Sequence, residues 1–392
     1  MHTFAYQKNQ RYFAQIADGL EDLGKEELAR LGATDVKPSY RGIYFSAAPA
    51  ALYRVNYSAR LISRVMAPLL TFDCHSDRYL YKTARSLPWT DLLTLKTTFA
   101  VFTNVANSNI RHSQYASQKL KDAIVDQFRD ACGDRPQVEP LSPDVWINLY
   151  IHNNKATISL ETSGGSLHRR GYRQESVEAP MQETVAAAVI QLSGWDGERP
   201  LYDPMCGSGT LLTEALMRAC RIPSGYLRAR FGFERLPDFD AAVWGEVKQE
   251  CDKQIRPLPA GLIGGSDASR AAVEVAQKNC RMLPGGGQIT IKTRRFQDIE
   301  ALEDAVIICN PPYGVRMNTA RQASTLLKEF DTFLKKRCQG STAYVYLGKK
   351  ELLPQIALRP TWKKPLKNGG LQGFLTKYEI AGEKKGKGSG RH

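Results

Sequence analysis

The sequence predicts an α/β protein, with a Rossmann-like, mostly parallel sheet in the second half of its 392 residues and a smaller α+β region before it. Three observations predict this. A strand, a glycine turn and a helix follow one another over residues 201–217. A second strand, 262–267, ends in an acid and leads into a helical stretch over 269–282. The short β-branched run Ala305-Val306-Ile307-Ile308-Cys309 reads as a buried strand that two prolines end abruptly.

In chain order, residues 13–17 predict a strand, 20–31 a helix with Leu20, Leu23, Leu28 and Leu31 on roughly one face, and 42–45 a further strand. Together they describe a small α+β domain reaching about Arg60. A strand over 98–105, a helix over 113–132 and a hairpin of 145–151 with 157–160 follow. Asn153-Asn154 supplies the turn chemistry that hairpin needs. Residues 107–115 are polar, and Arg111, with Lys119 and Lys121 of the next helix, could contact phosphates; a solvated helix face is the alternative for any single lysine.

The second half carries the chemistry. In Asp203-Pro204-Met205-Cys206-Gly207-Ser208-Gly209-Thr210, the two glycines permit positive φ and a close backbone approach to a ligand. The helix starting near Thr210 presents unpaired N–H groups and a positive dipole end, which suits a carboxylate or phosphate. No Gly-Lys-Ser/Thr follows and the full G-x-G-x-x-G is missing, so a nucleoside-triphosphate site is excluded. Asp203 could accept from an amino group or act as a structural cap. Asp267, an acid at the end of the second strand, is placed to bind both hydroxyls of a ribose. A third strand over 288–292 leads to Asp298, which could accept from an adenine amino group or serve as a helix cap or solvated loop residue.

Asn310-Pro311-Pro312-Tyr313 describes a holder for an exocyclic amine. The Asn310 side-chain oxygen and the Pro311 carbonyl could take both hydrogens of an –NH2 group, and Tyr313 could stack on the ring that carries it. A proline-rich turn closing a core strand is the alternative.

A net charge of +14 and a pI near 9.3 would steer the chain toward a polyanion. Eight cysteines without a C-x-x-C pair, and six histidines without ligand spacing, support neither a disulfide framework nor a metal site. No long apolar segment or signal-like start is present, so no membrane association and a cytoplasmic location are expected.

The ordered set of the 203–210 loop, Asp267 and Asn310-Pro311-Pro312-Tyr313-Gly314 resembles the THUMP-domain class I RNA methyltransferases that modify guanine N2 in large-subunit ribosomal RNA. The similarity extends to residues 167–173, to 179–184 and to Lys367-Asn368-Gly369, covering most of the chain. It implies a seven-stranded methyltransferase sheet whose last hairpin is antiparallel, behind a ferredoxin-like and THUMP region. S-adenosylmethionine is the implied methyl donor, held by Asp203, Pro204, Gly207, Gly209, Thr210, Asp267, Asp298 and Asn310, with Asn310, Pro311, Pro312 and Tyr313 holding the base. Large-subunit ribosomal RNA is the implied partner; whether it is met naked or in an assembly intermediate, and the oligomeric state, stay open. Methylation of another amine (adenine N6 in RNA or DNA, or guanine N2 in transfer RNA) and a non-catalytic RNA-binding assembly factor are the alternatives.

The expected domains are 1–60 (ferredoxin-like), 61–163 (THUMP), 164–180 (linker), 181–382 (methyltransferase) and a disordered basic tail, 383–392. Arg169, Arg170 and Arg173 lie with Tyr172 in the linker, where they could grip RNA or form a hydrogen-bonded latch. Two features depart from the family. The interval from Asp203 to Asp267 exceeds a minimal βαβ unit, and no second catalytic domain follows the first. Residues 221–260 fill that interval with an aromatic, basic insertion and an amphipathic helix, for which packing is preferred over a role at the cofactor or RNA.

Overall fold

The structure, a computed structural model, describes residues 2–175, 181–312 and 320–382, with Ala320 by its backbone alone. Ala179, Pro180, Tyr313, Gly314 and the tail from 383 lie outside the described residues. The elements of the first half are α1 (Ala5–Asn9), β1 (Arg11–Gln15), α2 (Glu21–Arg30), β2 (Thr34–Ser39), β3 (Gly42–Ser46), α3 (Pro49–Ser58), β4 (Arg64–Asp73), α4 (Asp77–Arg85), β5 (Phe99–Ala106), α5 (Ser113–Cys132), β6 (Val145–His152) and β7 (Lys155–Glu161). Those of the second half are α6 (Glu183–Leu192), β8 (Leu201–Asp203), α7 (Thr210–Ala219), α8 (Ala241–Asp252), β9 (Ile263–Asp267), α9 (Arg270–Arg281), β10 (Thr290–Thr293), β11 (Val306–Cys309), α10 (Ala320–Arg337), β12 (Thr342–Leu347), β13 (Trp362–Asn368) and β14 (Leu371–Glu379).

The chain falls into two compact units. One comprises Met1–His168 together with Ser224–Lys253; the other comprises Arg169–Pro223 and Gln254–His392. Residues 224–253, inside the stretch expected as a single domain at 181–382, thus fold with the N-terminal half.

The first unit holds a seven-stranded sheet in the order β2-β3-β1-β4-β7-β6-β5. Its seam is β4, which pairs antiparallel with β1 on one side and β7 on the other. No expectation covered β4; its proline and mixed burial obscure the alternation of a half-buried strand. By contrast, α5 begins and ends as the sequence predicts, closed by Gly133 at φ 72°. The β6–β7 hairpin turns on Asn153 and Asn154 at φ 50° and 59°, the left-handed pair that a type I′ turn demands.

Segment 224–253 is packing, as its aromatic residues suggested. Rings of Phe231, Phe233, Phe239 and Trp244 lie 4.5 to 6.4 Å, centroid to centroid, from those of Tyr53 and Tyr57 on α3. Ser224 donates to the Ala59 carbonyl at 2.7 Å, and the Tyr57 hydroxyl donates to Asp252 at 2.6 Å. Arg228 donates to the carbonyls of Ser163 and Gly164, each at 2.9 Å. Both Arg228 and the ion-paired Arg64 oppose the upward push of burial on the Glu161 carboxyl.

In the second unit the order is β10-β9-β8-β11-β12-β14-β13. The run from β10 through β12 is parallel throughout, and β14 pairs antiparallel with both β12 and β13. This is the expected seven-stranded Rossmann-like sheet with an antiparallel final hairpin. Its strand order reverses between β8 and β11, and the carboxyl ends of those neighbours flank the crevice where such sheets bind ligands.

One glycine of the first unit tests how tightly the inserted segment is seated. A Cβ on Gly232 would stand 2.1 Å from the Glu161 carbonyl oxygen, while the next residue, Phe233, donates to the Thr162 carbonyl at 2.8 Å. Gly232→Ala should therefore destabilise the protein by about 1–3 kcal/mol through overpacking, read as a lowered urea midpoint at unchanged slope.

Candidate active site

β8 ends at Asp203, and the chain then folds back over the end of β9. The Cys206 N–H donates to the Ser266 carbonyl at 3.0 Å, and the Gly207 N–H donates to Asp267 Oδ2 at 2.9 Å. Gly207 and Gly209 have φ of 52° and 77°, the left-handed conformation anticipated for this elbow. Gly209 also lets two helices close up, since a Cβ there would lie 3.0 Å from the Ala276 Cβ on α9. α7 starts at Thr210, with the positive end of its dipole at the elbow.

Asp203 is 1 % exposed and accepts the Met205 N–H at 3.1 Å, the geometry of a local cap. Burial pushes its carboxyl well above the usual carboxylate range, and the nearby Asp267 carboxylate pushes the same way. Both effects disfavour the charged form, and a cation held beside Asp203 would oppose them. Asp267 already uses both oxygens, Oδ1 accepting from the Ser269 N–H at 2.9 Å. Each oxygen keeps lone-pair capacity for a further donor.

Asn310 follows β11 directly. Ile307 pairs with Tyr202, so Asn310 rises from the same sheet edge about two residues beyond the level of Asp203. Its Oδ1 is enclosed, yet among the described residues it accepts no hydrogen bond. Pro311 is buried and Pro312 half-buried; Tyr313 lies outside the described residues. Asp298, in a 3-10 turn after β10, is exposed at the same carboxyl edge, two strands from β8. The structure thus brings Asp203, Gly207, Gly209 and Asp267 into one bonded elbow beside Asn310, with Asp298 more distant.

The linker arginines need correction as RNA contacts. Arg170 is 1 % exposed and ion-paired at 3.3 Å with Glu214 of α7, whose carboxylate also accepts the Tyr172 hydroxyl at 3.0 Å. A guanidinium so enclosed cannot reach a phosphate. Arg173 donates to the Met181 carbonyl at 2.8 Å and to Thr210 Oγ1 at 3.0 Å, and it pairs with Glu183 at 3.2 Å. The latch alternative describes both, with Arg173 bracing the first residue of α7; only Arg169 is exposed. In the other unit, Arg111 is exposed before α5, Lys119 lies over the Tyr115 ring at 5.2 Å, and Lys121 pairs with Asp122 at 2.8 Å. Two residues apart on a helix, Lys119 and Lys121 point about 200° from each other and form no common patch.

Sequence reasoning missed Asn279. It is 1 % exposed on α9, and its amide donates to the Ser208 carbonyl at 3.0 Å and the Glu175 carbonyl at 3.1 Å while accepting the Gln174 N–H at 3.0 Å. It ties the elbow to the linker, and a lone Asn inside a helical pattern carries no sequence signal for that. Asn368, which accepts the Gln182 N–H at 3.0 Å, was visible only as part of a family string. Among the described residues, no His, Cys, Asp or Glu cluster could hold a metal ion, and no helix is long and apolar enough to cross a membrane.

Three sequence families match: an RMKL-like methyltransferase domain over residues 170–377, a THUMP domain over 75–161 and an RlmL ferredoxin-like domain over 11–66. A Synechocystis protein named "Putative RNA methyltransferase slr0064" is 38% identical over 94% of this chain and 96% of its own length. The "Ribosomal RNA large subunit methyltransferase K/L" of Aliivibrio salmonicida is 37% identical over 95% of this chain, but only 54% of that relative is covered, so the chain spans about half its length. Among solved structures, "SMU.472, a putative methyltransferase complexed with SAH" superposes with a TM-score of 0.82 at 27% identity, covering 96% of this chain and 99% of that one. A "predicted N6-adenine-specific DNA methylase" of Listeria monocytogenes gives a TM-score of 0.82 at 28% identity, over 95% and 96%. With the elbow, the switch-point sheet and these matches in agreement, the chain belongs to the RMKL-like methyltransferase family, in the arrangement that carries ferredoxin-like and THUMP domains ahead of the catalytic one.

Proposed function

We propose that this protein uses S-adenosylmethionine to methylate the exocyclic N2 amine of a guanine in large-subunit ribosomal RNA. The observation that carries the reading is the enclosed Asn310 Oδ1, unpartnered among the described residues, an acceptor held at a strand tip beside the glycine elbow. Leaving such an atom unsatisfied costs about 1–3 kcal/mol, which an amine donor arriving in the crevice would recover. The large-subunit target follows the K/L relatives, and the donor follows the SAH-bound structural relative.

When bound, the donor supplies an electrophilic methyl group on a positively charged sulfur. Gly207, Gly209 and Thr210 would line its methionine part, Asp267 has capacity left for two ribose hydroxyls, and Asp203 offers a carboxyl whose charged form a neighbouring cation would favour. Pro204 fixes the strand exit, and Asp298 is the candidate partner for the adenine. Asn310 Oδ1 and the Pro311 carbonyl accept the two hydrogens of the amine. The N2 lone pair is conjugated into the guanine ring, so these acceptors favour the tetrahedral nitrogen that must attack, and the positive charge that develops on it. Alignment of nitrogen, carbon and sulfur contributes further. Pro312 and Tyr313 complete the holder, with Tyr313 assigned to stacking on the base.

Loss of N2-methylguanosine at one large-subunit position in a deletion strain, restored by the wild-type chain, is the expected result of nucleoside mapping. Intact N2-methylguanosine with lost N6-methyladenine would overturn the guanine assignment in favour of adenine.

Asn310→Ala should lower kcat about 100-fold at nearly unchanged cofactor affinity. Asp267→Ala should instead weaken cofactor binding about tenfold or more; single-turnover rates and calorimetry separate the two, and the reverse pattern would refute these roles. Because burial and Asp267 raise the Asp203 pKa, a cationic donor that ionises Asp203 must displace its proton. Affinity for S-adenosylmethionine should therefore climb as pH rises from the ordinary carboxylate range toward the raised value, with proton release seen as a buffer-dependent binding enthalpy that Asp203→Asn abolishes.

A further inference from the structure

The side chains of Ser208 and Thr210 flank Gly209 at the start of α7, and both residues are nearly enclosed, at 5 % and 6 % exposure. Arg173 donates from Nη2 to Thr210 Oγ1 at 3.0 Å, and Thr210 Oγ1 lies 3.4 Å from Ser208 Oγ. Counting protons decides what this chain of groups can do. Each hydroxyl carries one proton, and a guanidinium donates without accepting. At 3.4 Å the two hydroxyls share at most one of their protons, whichever of them donates, so at least one is left over. Arg173 cannot take it, and among the described residues neither hydroxyl makes another hydrogen bond.

The backbone around the pair donates too. Gly209 precedes α7 and no side chain caps the helix there, so the N–H groups of the first turn keep no side-chain acceptor, and the dipole is positive at the same end. Donors with a buried proton to spare call for an anion. S-adenosylmethionine brings one anionic group, the carboxylate of its amino-acid end; its adenosine end has none.

Arg173 is itself fixed from behind. Its Nη2 also donates to the Met181 carbonyl at 2.8 Å, and its Nε lies 3.2 Å from Glu183 Oε1, close enough for an ion pair but without the alignment of a hydrogen bond. With its charge met by Glu183, the guanidinium acts on a bound anion less through its own field than through the hydroxyl it orients.

We propose that the Ser208 and Thr210 hydroxyls receive the carboxylate of the cofactor, and that Arg173 is the positioning residue that turns them toward it by occupying a lone pair of Thr210. The inference rests on the reading that puts the methionine part of the cofactor at the elbow, and it adds what selects a donor that carries a carboxylate. A brace that merely holds α7 in place would serve every ligand of the crevice alike. A donor chain serves only a ligand with an anion to offer.

The test is isothermal titration calorimetry of the full chain, without RNA, using two ligands: S-adenosylhomocysteine, and 5′-deoxy-5′-methylthioadenosine, which keeps the adenosine and the sulfur but lacks the amino-acid end. Arg173→Met, Thr210→Val and Ser208→Ala should each weaken S-adenosylhomocysteine binding about tenfold while leaving methylthioadenosine within about twofold, because each removes a hydrogen bond to a charged group or the group that orients it. Thr210→Ser, which keeps the hydroxyl, should retain affinity for both ligands. Combining Arg173→Met with Thr210→Val should cost little beyond the larger single loss, since the arginine acts through the threonine. Equal losses for the two ligands would reduce Arg173 to a brace and overturn the proposal, as would a double variant whose loss is the product of the single ones. Wild-type affinity in both Thr210→Val and Ser208→Ala would overturn it even where Arg173→Met fails to fold. A wild-type chain that binds no S-adenosylhomocysteine would instead remove the cofactor site itself, and failure of the guanine assignment would leave the binding results untouched.

Discussion

The parallel contact of β8 with β9 on one side and β11 on the other is the constraint on which the catalytic unit depends. Because all three strands run the same way, their carboxyl ends emerge at one edge, and each delivers one polar group there: Asp203, Asp267 and Asn310. The reversal of strand order between β8 and β11 leaves that edge open. A register slip of a single residue would turn each of these side chains to the other face of its strand.

Around that edge, polarity is arranged so that some groups are satisfied and others are left waiting. Asp267 holds the elbow through the Gly207 N–H, and Asn279 holds it through the Ser208 carbonyl, so the glycines are fixed rather than merely permissive. Arg173 braces the start of α7, and the Arg170–Glu214–Tyr172 cluster anchors the linker beneath it. Asn310 Oδ1, like Glu214 Oε2 and Ser266 Oγ nearby, is enclosed without a hydrogen bond among the described residues, and burial disfavours the charged form of Asp203. A donor would satisfy the Asn310 oxygen, and a cation would offset the burial of Asp203.

The N-terminal unit solves a different problem. Its two α+β halves share a single sheet through β4, and the segment 224–253, which leaves the catalytic unit between α7 and β9, supplies the aromatic residues that cover α3. The long interval between Asp203 and Asp267 is therefore not an elaboration of the cofactor site. It is core that belongs to the other unit, closed by the tight approach of Gly232 to the Glu161 carbonyl.

By itself, the sequence determined the elements whose signals are local. The elbow, the acid ending β9, the diproline after β11, helix α5 and the Asn153-Asn154 turn all follow from periodicity, glycine φ preference and turn chemistry within a few residues. The seven-stranded count and the antiparallel last hairpin came from resemblance to a family. Tertiary structure alone decided what depends on partners distant in sequence. It turned Arg170 and Arg173 from surface cations into a latch, because Glu214 and Thr210 lie opposite them, and it gave Asn279 its bracing role. It placed residues 224–253 in the N-terminal unit and set Tyr44 and Tyr150 on one face of its sheet. A residue's charge and shape are written in the chain, but whether they meet water, a counter-ion or a ligand is fixed only when remote strands pair.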